Sequence, residues 1–257
     1  MEAALAALDS VSNDIIGQLS ESGILAGIRS AEVAPAIAEW RAEPSAAPVS
    51  VPELRVGCAE TLRAAVESGW DLGVLSISWC PPIIHAYLPI LSDGAQSERN
   101  GMVWANAIDE ATGRVNNKID GAIAKRAVIQ TLIDETTMTL AGPSALAGPT
   151  SLASTATGVL DPEPRRAVIY LGDSTTDLLA LLAADIGILI GNSASTRNVA
   201  SKFGIALKPL HAAQANNVEA LCSATEEGSV WEAESWEEVR VCLGLPNSTA
   251  DRTKLQP

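Results

Sequence analysis

Apolar positions along the chain follow two different periods. Over residues 2–69, Ala, Leu and Ile recur at three- and four-residue spacing, which predicts helices, and proline-rich text over 44–52 interrupts them. Gly69-Trp70-Asp71 closes the last helix. From there the runs shorten. Residues 72–77 and 102–107 read as strands, 114–119 as a hairpin arm, and Pro81-Pro82 as the start of a helix through Tyr87. Residues 122–134 form an amphipathic helix carrying Lys125 and Arg126. A strand running into Gly172 follows. After it come a helix (178–183), a strand (186–190), a helix (195–203) and a short strand (205–207). Such alternation predicts an α/β fold with a parallel sheet covered on both faces.

Two stretches lack any period. Residues 139–164, rich in Ala, Gly, Ser, Thr and Pro, read as a disordered insertion without chemistry. Residues 211–228 read as a second disordered stretch. It leads to a final helix capped by Ser235, with Glu238 completing a capping box. The expected organisation is a helical region over 1–69, a core over 70–138 and 165–243, the 139–164 insertion, and a tail over 244–257.

Composition narrows the partners. Hydrophobic residues make up 47% and aromatics 4%, so Ala, Leu, Val and Ile must fill the core. The formal charge of −14 argues against nucleic acid, whose binding rests on Lys and Arg. A small phosphorylated substrate would need a local cation, either a metal ion or a lysine. The four cysteines (Cys58, Cys80, Cys222, Cys242) include no Cys-x-x-Cys, and His85 and His211 are the chain's histidines. That disfavours a zinc site and fits a reducing compartment. The first residues lack a basic n-region and transit-type arginines, and the apolar stretch 178–190 is too short to span a bilayer. The expectation is an intracellular protein, cytoplasmic or mitochondrial, with no targeting segment in this chain and no membrane contact.

The chemistry concentrates in Gly172-Asp173-Ser174-Thr175-Thr176-Asp177. A strand ending there sets two carboxylates at the C-terminal edge of a parallel sheet, where open α/β folds place their sites. A hard divalent cation such as Mg²⁺ relieves their repulsion. The same text is also a capping box from Ser174 to Asp177. A serine-hydrolase reading of Ser174 fails in the sequence, because neither His85 nor His211 has an acidic neighbour in its local text.

Ser76 ends an earlier strand and Lys125 lies on a helix. The order Ser76, Lys125, then Gly172-Asp173-x-x-x-Asp177 resembles motifs two, three and four of the haloacid dehalogenase-like (HAD) superfamily. Further text resembles one branch of it: residues 21–28, 74–80, Ala105-Asn106, 184–188 and 231–236. That branch is the phosphatase part of plant bifunctional proteins that join a TenA-like domain to a HAD domain. The resemblance implies a Rossmannoid parallel sheet with a helical cap over 1–69. It implies hydrolysis of thiamin monophosphate, with Ser76 and Lys125 binding phosphate and Asp173 and Asp177 binding Mg²⁺. A fused or separate TenA-like domain is the implied partner.

One motif is absent. HAD phosphatases attack phosphorus with the first aspartate of an Asp-x-Asp on a central first strand, which stands between the strands ending in motifs two and four. This chain contains no Asp-x-Asp, and Asp9, Asp14, Asp134 and Asp161 do not replace it. The expectation is therefore a family member lacking its first strand and its nucleophile. The rival expectation is a non-catalytic remnant that acts as a binding or interaction module.

Overall fold

The computed structural model describes residues 1–42, 52–93, 101–140 and 166–247. The expected insertion lies outside the described residues from position 141 onward, and the tail does so from position 248.

Three helices come first: α1 (Glu2–Ser22), α2 (Ser30–Ala42) and α3 (Cys58–Glu67). Strand β1 (Gly73–Leu75) follows, then α4 (Pro81–Tyr87) and α5 (Ile90–Asp93), with the two prolines at the first helical positions of α4. There a missing N–H costs nothing. Strand β2 (Met102–Trp104) pairs with β1 in parallel. β3 (Ala107–Ile108) and β4 (Val115–Asn116) form the expected hairpin. Helix α6 (Ala122–Leu140) runs beyond its predicted end at 134.

The second half builds a four-stranded parallel sheet. Its elements are β5 (Ile169–Gly172), α7 (Leu178–Ala183), β6 (Ile186–Ile190), α8 (Ala194–Lys202), β7 (Ala206–Pro209), α9 (Val218–Ala224), β8 (Ser229–Ala233) and α10 (Trp236–Cys242). The strand order is β5-β6-β8-β7, so among the described residues β5 is an edge strand. Among the described residues β1 likewise pairs on one side, with β2. The Arg166–Asp71 ion pair, 3.0 Å, ties the approaches to β5 and β1 together.

The expectation of disorder over 211–228 is corrected. That stretch holds a 3₁₀ turn (Leu210–Ala213) and α9, whose start Asn217 caps by accepting from Ala220 N. Leu210 and Leu221 are fully buried. β8 went unread, yet it lies inside the sheet. Glu238 also reaches further than a capping box needs. Ser235 Oγ does accept from Glu238 N, but the Glu238 carboxylate accepts from Glu234 N and His211 N.

Two cores cover the two faces of the sheet. One joins Ile186, Ile188, Trp231 and Ala233 to α3, α9 and α10, and takes in Leu245 beyond the last helix. The other joins Tyr170, Leu189 and Val230 to Ile129 of α6 and to Leu178 and Leu181 of α7. Leu5 of α1 packs with Ala122 and Leu179. No described helix is long and apolar enough to cross a membrane.

Candidate functional site

The site forms at the C-terminal end of β5. Gly172 is required there because a Cβ would stand 2.5 Å from Asp177 Cβ. Without one, the Asp177 side chain folds back under the strand end. Asp177 Oδ2 accepts from Asp173 N (3.1 Å), Ser174 N (3.0 Å) and Ser174 Oγ (2.7 Å). Its Oδ1 accepts from Lys125 Nζ (2.6 Å) and Tyr170 Oη (2.7 Å). The capping and ionic roles therefore coexist in one carboxylate.

Burial by itself pushes the Asp177 carboxyl up. The Lys125 charge and the hydrogen bonds from Lys125, Ser174 and Tyr170 outweigh it and hold the group below the usual carboxylate range. Burial, followed by the adjacent Asp177 charge, pushes the Tyr170 hydroxyl well above its usual range, so it stays a neutral donor.

Lys125 comes from the first turns of α6, whose start α1 holds. Asp9 Oδ2 accepts from Ala122 N at 3.1 Å, and Gly121 leaves room for that carboxylate. Arg126 makes two bonds to Glu2. Asp9 thus serves as a cap for the lysine's helix.

Asp173 points outward, its side chain 56% exposed, and its Oδ2 lies 3.0 Å from Arg55 Nη2. Ser76 is half-buried just past β1, where its N–H continues the ladder to Trp104 O. Its Oγ accepts from Ser78 N at 3.1 Å. Asn106 pins this loop. It is 1% exposed and donates to Ile77 O and Ile119 O, while Ile119 N donates to its Oδ1. One buried amide thereby joins the Ser76 loop to the approach of α6. Beside the loop, Trp79, Cys80, Pro81 and Pro82 line a cavity of about 250 Å³ with Ile28 and Ile108.

The fold thus brings Lys125 onto Asp177 and fixes Asp173 through its backbone N–H. It sets Ser76 on the separate β1–β2 strand pair, linked through Asn106 and through Leu75, which packs against the buried cluster that includes Ile129 and Tyr170. Sequence reasoning missed three contributors. Tyr170 had one signal, an aromatic hydroxyl in an otherwise aliphatic strand. Asn106 had only its place in the resembling text, and Arg55 had none. The fold also gives His211 an acidic partner that its local text lacks, Glu238 at 3.3 Å. His211 follows β7, three strands from β5, or about 14 Å at the usual inter-strand spacing. It is too far away to activate Ser174.

Among the described residues no group of three or more His, Cys, Asp or Glu side chains stands ready to hold a metal ion. Mg²⁺ asks for less, often one or two carboxylates plus water and substrate phosphate. Asp173 fits that part, with an outward carboxylate at a strand end. The oxygens of Asp177 already accept five donors, so it fits as the group that fixes the Asp173 backbone.

Neither a protein-family model nor a solved structure gives a significant match to the chain. A bifunctional TH2 protein of Arabidopsis thaliana, named as mitochondrial, is 26% identical over 197 residues. The match takes in 72% of this chain and 28% of that protein, so the chain spans under a third of that relative's length. The chain is an α/β protein with a central parallel sheet, similar over most of its length to part of a bifunctional protein.

Proposed function

We propose that these residues form the phosphate- and cation-binding part of a HAD-type phosphomonoester hydrolase acting on thiamin monophosphate. The observation that carries the reading is the buried Lys125–Asp177 pair under a strand end from which Asp173 faces out. The Lys125 ammonium has three donors, one of them on Asp177, which leaves two for phosphoryl oxygens. The Ser76 hydroxyl, just past the end of β1, adds a neutral donor. Asp177 holds the lysine charged and the Asp173 turn fixed. Mg²⁺, held by Asp173, would offset phosphate charge.

The reading also accounts for β1 and β5 each having, among the described residues, a sheet neighbour on one side, since the superfamily's first strand stands between their counterparts. The 257 residues contain no Asp-x-Asp. The reading therefore covers binding and charge stabilisation, and attack on phosphorus needs a carboxylate from elsewhere. The substrate and a TenA-like partner domain rest on the family resemblance and on the bifunctional relative. The missing motif favours a second reading, a non-catalytic module that binds the same ligand.

Calorimetric titration with thiamin monophosphate and with thiamin, in Mg²⁺, tests the proposal. Tighter binding of the phosphorylated form, weakened in Ser76→Ala, is expected. Equal binding of the two ligands would overturn the phosphate assignment.

A further inference from the structure

Arg55 is absent from every motif above, yet its guanidinium lies across the ends of two neighbouring strands. Nη2 donates to Asp173 Oδ2 after β5 at 3.0 Å, and Nη1 donates to Ile190 O at the end of β6 at 3.3 Å. The receiving surface is shaped for it. Gly191 has φ +92°, and a Cβ there would fall 1.9 Å from Arg55 Nη1. The delivering segment is anchored as well. Cys58 N donates to Arg55 O, and Thr61 Oγ1 donates to Trp236 O, which fastens α3 to α10. Gly57 faces Trp236, where a Cβ would come within 3.2 Å of the indole-bearing carbon.

We infer that Arg55 is a resident counter-ion that competes with a divalent cation for Asp173. This rests on the reading of Asp173 as a cation ligand. A guanidinium on Asp173 Oδ2 offsets part of the carboxylate charge and repels a second cation at the same group, so the two compete. The Arg55 and Asp173 side chains are each about half exposed, so solvent screens their attraction and the exchange is reversible. On cation arrival Arg55 gives up Asp173 and keeps Ile190 O. Without the cation, Arg55 offsets a charge that would otherwise stand alone at the strand end. Arg55 is thus a positioning residue that sets the cation concentration at which the site fills.

The test is direct Mn²⁺ titration of the full chain at low ionic strength, with free Mn²⁺ followed by electron paramagnetic resonance. The variants are Arg55→Gln, Arg55→Lys and Asp173→Asn, with circular dichroism confirming the fold of each. Arg55→Gln is expected to bind about two- to fivefold more tightly than the unsubstituted chain, the scale of a lost exposed ion pair. Arg55→Lys should stay close to the unsubstituted chain, and Asp173→Asn should lose the site. If Arg55→Gln binds no more tightly while Asp173→Asn still abolishes binding, the competition is overturned and the cation reading stands. If none of the proteins binds Mn²⁺, both fall.

Discussion

Lys125 Nζ lies 2.6 Å from Asp177 Oδ1 although the two residues are 52 positions apart, and their side chains are only 6% and 4% exposed. A buried charge without its partner is costly, and breaking such a pair from one side typically costs about 3–5 kcal/mol. Lys125→Met should therefore lose stability on that scale in urea unfolding. Asp177→Ala should lose at least as much, because it also strips the acceptor from Asp173 N and Ser174 N. A loss under about 1 kcal/mol for Lys125→Met, the range of exposed pairs, would mean that the pair is solvated.

The same pair sets an acid limit. Asp177 has its carboxyl held below the ordinary value in the folded chain. A depressed native pKa adds stability that is complete above the unfolded value, about 4 for aspartate. That stability is lost as pH falls through the lower native value. Urea midpoints measured from pH 6 down to pH 3 should fall, and Asp177→Asn should flatten that slope. An unchanged slope in the variant would assign the acid limb to other carboxylates.

Two glycines should respond to alanine with opposite signs. At Gly172 the new methyl would meet Asp177 Cβ at 2.5 Å, so backbone or carboxylate must shift. Overpacking of this kind costs about 1–3 kcal/mol. Gly17, inside α1, has nothing within 4 Å of the added carbon. Gly17→Ala should gain about 0.5–1 kcal/mol from helix propensity. Thermal melts of the two variants check both signs at once, and a stabilising Gly172→Ala would refute the folded-back Asp177.

The 257-residue chain should not turn over p-nitrophenyl phosphate or thiamin monophosphate in Mg²⁺, because no Asp-x-Asp is present to start the attack. On the proposed reading, supplying a HAD-type first strand that carries Asp-x-Asp should confer hydrolysis. In that repaired protein Lys125→Ala should lower turnover by about 10²- to 10³-fold, the usual scale for a lost charge-stabilising donor. Phosphate release by the unrepaired chain, abolished in Asp173→Asn, would defeat this expectation.

Elements with a local signal were legible in the residues alone. Pro81-Pro82 sets the start of α4, and the apolar runs before Gly172 and at Ile186–Ile190 mark β5 and β6. Asp173 and Asp177, four apart after a strand, sit where a turn must put them. Short elements were illegible for the same reason. Val230 and Trp231 are too few for a period, and they become a strand because β6 and β7 flank them. α9 sits in text without a clear stripe and is held by the Asn217 cap and the buried Leu221. The long-range partners emerge from the packing. Lys125 meets Asp177 because α6 packs along α7, Asn106 ties two loops through buried backbone groups, and Arg55 reaches Asp173 from 118 residues away. Periodicity records which side of an element is buried. It carries no record of which distant residue arrives on the other side, since packing geometry and burial energy settle that once the chain is closed.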